Sequence, residues 1–153
     1  MINATHGETN DTATDSTAIA GELRTVLLRL ARELRREIHS LGVTGGQVSL
    51  LALIKQSPAI TASQLAEHER VSAAAMSGQL AKLEAAGLIA RARATDRRRI
   101  GLTVSPAGDR VLRSVRQKRT AWLTKRLDTL TDAERDAIEQ ALEPLQKLLA
   151  EGR

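Results

Sequence analysis

Three observations predict a mainly α-helical chain carrying one small β-hairpin wing, a winged helix-turn-helix flanked by N- and C-terminal helices. Apolar residues recur every three or four positions over long stretches at both ends. Hydroxyl-led capping signatures open several helices between and after them. Two short alternating segments flank the polar run Ala94-Thr95-Asp96-Arg97-Arg98-Arg99, which makes a hairpin with a cationic tip.

Taken in order, residues 1–16 are polar and rich in Thr, Asn and Asp. They offer too little apolar surface to offset the entropy of ordering and read as a flexible tail. From Ile19 the series Leu23, Val26, Leu27, Leu30, Leu34, Ile38 and Leu41 describes a long amphipathic helix ending at Gly42. Thr44 and Gln47 form a capping box, with Val43 and Val48 as a hydrophobic staple, and the helix they start runs through Leu51 and Ile54 to Ser57-Pro58. The same signature recurs at Thr61 and Gln64, with Ile60 and Leu65 as the staple, opening a short third helix that ends near Glu69. After Glu69-Arg70-Val71, Ser72 caps a fourth helix whose Met76, Leu80 and Leu83 share a face before Gly87 stops it. Such a pair is a helix-turn-helix, although its turn lacks the usual Gly, and an ordinary helical hairpin is the competing reading.

The strands Leu88–Arg93 and Ile100–Ser105 follow directly, and a cationic wing behind a recognition helix favours the winged form over a plain bundle. Ser105-Pro106 opens a long fifth helix, Pro sitting where a missing N–H costs nothing. Thr131-Asp132-Ala133-Glu134 opens a last helix with Ile138, Ala141, Leu142, Leu145, Leu148 and Leu149 at coiled-coil-like spacing, Pro144 being expected to kink it near Gln140. Residues 17–43 and 106–153 carry more apolar surface than a small winged domain covers, so they are expected to dimerise around residues 44–105.

Composition narrows the chemistry. Of 153 residues 42% are hydrophobic and 27% charged, one ordinary soluble domain, with no apolar run long enough for a membrane span and no secretory signal, hence an expected cytoplasmic location. Cys is absent, which removes disulfides, thiolate metal sites and thiol redox sensing. With Trp122 the sole aromatic, base-stacking platforms for single strands are missing. The three histidines, His6, His39 and His68, form no catalytic arrangement, and Glu67-His68-Glu69 reads as a charged face, so neither catalysis nor a cofactor or metal is expected. The formal charge is +5, but the stretch Arg91–Arg126 alone holds twelve basic residues against Asp96 and Asp109, leaving the remainder acidic. One face for nucleic acid explains this split, and a solvated basic helix explains part of it.

These residues resemble the multiple antibiotic resistance regulator (MarR) family of transcription factors over roughly Ile19 to Leu149. The resemblance lies in Thr44 with Gln47 and Leu51, then Met76, Leu80, Leu83-Glu84 and Gly87-Leu88, then Arg91, Asp96 with Arg98, and Pro106-Ala107-Gly108. It implies a homodimer that binds double-stranded DNA at a palindromic operator as a repressor. It also implies an effector, a small aromatic or lipophilic anion, held between the dimer and DNA-binding regions. The chain departs from the family at Gly78, where a larger, often basic residue is common, and at Val104-Ser105, where Leu-Thr is usual.

On this reading the fourth helix turns Ala74, Gly78, Ala81 and Lys82 to the major groove, with Ser77 and Gln79 flanking and Ala75 limited to thymine methyls. Direct readout is then modest, and helix propensity alone explains the alanines equally well. Arg98 matches the family's minor-groove arginine, Asp96 steadies the tip, Arg97 and Arg99 are expected on phosphates, and Arg93 is a further DNA-binding candidate. Thr61, Ser63 and Ser72 are candidate phosphate contacts at helix starts, though capping accounts for Thr61 and Ser72. His39 and Trp122 are the effector candidates between the first, second and fifth helices, against the plainer readings of a solvated cap and a core residue. The competing function is a non-specific architectural nucleic-acid-binding protein, and a third is a helical module for an acidic protein.

Overall fold

A computed structural model describes the backbone of residues 9–93 and 100–150, and the side chains of residues 15–91 and 101–150. Six α-helices and a two-stranded antiparallel sheet follow in the order α1 (Thr9–Arg36), a 3-10 turn (His39–Leu41), α2 (Gly45–Gln56), α3 (Ala62–His68), α4 (Ala73–Ala85), β1 (Ile89–Arg93), β2 (Ile100–Val104), α5 (Pro106–Leu127) and α6 (Asp132–Ala150). All three capping boxes form: Thr44 with Gln47, Thr61 with Gln64, and Thr131 with Glu134, each hydroxyl accepting the third backbone N–H while the longer side chain reaches back. Two boundaries differ from expectation. Residues 9–16, assigned to the tail, belong to α1, because lengthening a helix already nucleated costs little. The same helix stops at Arg36 rather than Gly42, the remainder tightening into the 3-10 turn that Gly42 closes.

The core gathers Ile38, Leu51, Ile54, Leu65, Met76, Leu80, Leu83 and Leu102, each essentially sealed from solvent. These come from the turn after α1, from α2, α3 and α4, and from the wing's return strand, so the core sits beneath the helix-turn-helix. Strand β1 pairs with β2 from Ile89 opposite Val104 to Arg93 opposite Ile100. Leu102 ties the hairpin to the body by donating its N–H to the Ile60 carbonyl at 2.9 Å, and the ladder runs one rung further where Ser105 donates to the Leu88 carbonyl at 3.0 Å.

Two glycines make this possible by having no side chain. A Cβ on Gly101 would lie 2.6 Å from the Ala59 Cα, and one on Gly108 would lie 2.3 Å from the Leu88 carbonyl oxygen. By contrast α6 buries no side chain within the protomer and continues as a helix through Pro144. No described helix is long and apolar enough to cross a membrane.

Candidate nucleic-acid interface and an adjoining cavity

Helices α3 and α4 form the helix-turn-helix, and the turn achieves its angle without glycine. Arg70 takes the left-handed conformation, φ 52°, where the motif commonly places Gly, and Val71 N–H closes on the Ala66 carbonyl at 3.0 Å. A non-glycine residue held there carries local strain of about 1 kcal/mol or more, offset by the packing of the two helices. Beyond the turn Ser72 accepts the Ala75 N–H at 3.1 Å and starts α4.

Helix α4 is divided cleanly. Met76, Leu80 and Leu83 are buried, whereas Ala74, Ala75, Ser77, Gly78, Gln79, Ala81 and Lys82 are exposed on the other side. Around Gly78 a Cβ would meet nothing within 4 Å, so nothing described in the protomer calls for glycine there. Ser63 is exposed in the first turn of α3; the hydroxyls of Thr61 and Ser72 are engaged as caps. Arg93 ends β1 by its backbone. Asp96, Arg97, Arg98 and Arg99 lie outside the described residues.

Two ion pairs organise the surroundings, and reading the sequence missed both. Arg91 on β1 forks onto Glu84 on α4, Nε to Oε1 at 2.6 Å and Nη2 to Oε2 at 3.2 Å, tying the wing to the helix before it. The hydrogen bond from Arg91 holds the Glu84 carboxyl below its ordinary value and raises the guanidinium in return. The available signal was a carboxylate and a guanidinium on either side of the Gly87 turn. The second pair joins Lys55 Nζ on α2 to Asp109 Oδ1 on α5 at 2.7 Å, with Lys55 and then Arg113 drawing the Asp109 carboxyl down. No local pattern announces a pair 54 positions apart.

Between α2 and α5 lies an open cavity of about 550 Å³ with an apolar floor that includes Val48, Ala52 and Leu112. Its charged lining is entirely cationic: Lys55, Arg113, Arg116 and Arg119. Neither sequence candidate for the effector lines it. His39 is exposed in the 3-10 turn, and Trp122 is buried, with the Arg126 guanidinium 3.5 Å from its ring centroid. Among the described residues no cluster of His, Asp and Glu is placed to hold a metal.

Residues 43–100 match the model of the MarR family. An HTH-type transcriptional regulator of Mycobacterium tuberculosis is 34% identical over 134 residues, spanning 87% of this chain and 94% of its own. A solved Pseudomonas aeruginosa structure superposes with a TM-score of 0.76 at 30% identity, covering 91% of this chain and 98% of that one. The M. tuberculosis MarR family protein Rv2887, named an HTH-type transcriptional repressor and solved in complex with p-aminosalicylic acid, superposes at 0.58 with 29% identity, covering 81% and 98%. A winged helix-turn-helix with these relatives is a DNA-binding transcription regulator rather than an enzyme, and the chain belongs to the MarR family.

Proposed function

We propose that the protein is a homodimeric repressor that binds a palindromic operator and is released by a small aromatic anion. The observation that carries the DNA reading is the division of α4, anchored by Met76, Leu80 and Leu83 and open along the side bearing Ala74, Ala75, Ser77, Gly78, Gln79 and Lys82. That side enters the major groove, where Ser77 and Gln79 hydrogen-bond base edges and the alanines meet thymine methyls. Arg98 enters the adjoining minor groove; Arg93, Arg97, Arg99 and Ser63 bear on phosphates, with Thr61 and Ser72 contributing the exposed N-termini they cap. Asp96 steadies the wing tip.

A twofold axis is supported by the apolar surface that one protomer leaves in water. Ile19, Val26, Leu27, Leu28 and Leu30 on α1, and Ile138, Leu142, Leu148 and Leu149 on α6, are all exposed. Pairing these helices with those of a second copy covers the surface and sets two α4 helices on one side, as a palindrome requires. The protein then works in the compartment that holds its operator.

The effector reading rests on the α2–α5 cavity. Four cations around an apolar floor suit an aromatic carboxylate, and Rv2887 binds p-aminosalicylic acid. Fluorescence anisotropy with the duplex upstream of the protein's own gene and a scrambled duplex, at two salt concentrations, tests the operator reading. A repressor prefers the native duplex by about 10³ or more. Equal, steeply salt-dependent binding supports instead the architectural reading, which the small side chains of α4 favour.

A further inference from the structure

We infer that the Lys55–Asp109 ion pair is the switch by which an anion in the α2–α5 cavity reaches the wing, because the anion and Asp109 compete for one ammonium group. This rests on the anion reading of the cavity and adds the residues that couple it to DNA.

Lys55 stands in the last turn of α2 between two hollows. One is the cationic cavity, and the other, of about 180 Å³, is lined by Lys55, Leu102 and Asp109. Its side chain is 53% exposed, so a change of rotamer carries the ammonium from one hollow to the other without repacking the core. Of the four cations lining the cavity it alone has a carboxylate within 4 Å among the described residues. An anion that enters therefore meets three guanidiniums with no described carboxylate within 4 Å, of which Arg119 donates to the Leu34 carbonyl at 3.4 Å, and one ammonium already held by Asp109. When Lys55 leaves, Arg113, one turn along α5, still acts on the Asp109 carboxylate, though less strongly than Lys55 does.

Asp109 stands in the first turn of α5, at the foot of the wing. Its N–H donates to the Ser105 carbonyl at 2.9 Å, and the Ser105 hydroxyl donates to the Gly87 carbonyl at 2.6 Å. Gly108 packs so closely on Leu88 that even a methyl group would collide with it. The first turn of α5 and the junction between α4 and β1 thus move as one piece, and Lys55 is the ionic link from that piece to α2. Releasing it loosens the first turn of α5 and the wing's foot against α2, while the shared core and the Leu102–Ile60 hydrogen bond keep the wing seated on the α2–α3 connection. By linkage the anion then weakens DNA binding by the factor by which DNA weakens anion binding.

The test uses the full chain, p-aminosalicylate as the probe, and three proteins: wild type, Asp109→Asn and Lys55→Met. Calorimetry measures probe affinity, and anisotropy on the duplex upstream of the gene measures the ratio of DNA affinities with and without probe. Freeing Lys55 in Asp109→Asn is expected to tighten probe binding about two- to fivefold, the range of a single exposed ion pair, and to shrink the ratio toward one. Lys55→Met is expected to bind the probe more weakly and to lose the ratio as well. Asp109→Asn with wild-type probe affinity and the full ratio overturns the switch while leaving the anion site standing. Absence of probe binding by the wild type overturns both. If Asp109→Asn melts below the assay temperature, Lys55→Met decides alone, and an undiminished ratio there overturns the switch.

Discussion

Replacing Gly108 by alanine, with Gly78→Ala as its companion, separates helix propensity from close packing. Both glycines are helical, and alanine is favoured over glycine in a helix interior by about 1 kcal/mol. At Gly78 the new methyl group meets nothing, so the gain of about 0.5–1 kcal/mol is kept. At Gly108 it would sit 2.3 Å from the Leu88 oxygen and 2.7 Å from the Val104 Cγ1, where ordinary contact begins near 3.4 Å. The obstacle is backbone, and its carbonyl also accepts the Ser105 N–H. Overpacking of this kind costs about 1–3 kcal/mol, and disturbing the hydrogen bond adds about 1 kcal/mol. Against the propensity gain the net loss is about 1–3 kcal/mol. At about 2–4 °C per kcal/mol, Gly78→Ala should melt a few degrees higher and Gly108→Ala several degrees lower. Differential scanning calorimetry at one fixed protomer concentration reads both, since association shifts the midpoint with concentration. A Gly108→Ala protein as stable as the wild type refutes the seating of α5 on the wing's base, and a destabilised Gly78→Ala refutes the open side of α4.

Arg98→Ala should weaken operator binding by about 1–3 kcal/mol and leave dimerisation intact; unchanged anisotropy would remove the wing from DNA recognition. Placing Glu at both Leu145 and Leu149 on α6 should disperse the dimer, and a sedimentation profile still dimeric would locate the interface elsewhere. Acid should destabilise through Glu84, Asp109 and Glu134, each of which the folded chain holds below its ordinary value of 4.5, 3.8 and 4.5 respectively. Depressed carboxyls contribute stability above those values and lose it as pH falls through the lower folded ones. Melting followed from pH 7 to 3 should therefore drop more steeply for wild type than for the triple variant Glu84→Gln, Asp109→Asn, Glu134→Gln, and parallel curves would contradict the assignment.

The features that reading residues in order could recover are those whose cause lies within one or two helical turns. A hydroxyl and an amide or carboxylate three residues apart satisfy each other's backbone, so the starts of α2, α3 and α6 and the cap of α5 follow from local spacing alone. The burial of Met76, Leu80 and Leu83 followed from helical period in the same way, and it leaves the opposite side of α4 open. Folding decided whatever depends on segments distant in the chain. That Arg70 bends left-handed in place of glycine, that Gly101 and Gly108 lie against Ala59 and Leu88, and that Lys55 finds Asp109 all arise when separated backbones close to within a few ångströms. The cavity is of this kind: its cations come from α2 and α5, and only their packing gathers Lys55, Arg113, Arg116 and Arg119 while turning His39 outward and covering Trp122 with Arg126. Hydrogen bonds at a cap are set by covalent spacing, whereas dispersion and Coulomb forces between elements act only over the separations that the fold itself creates.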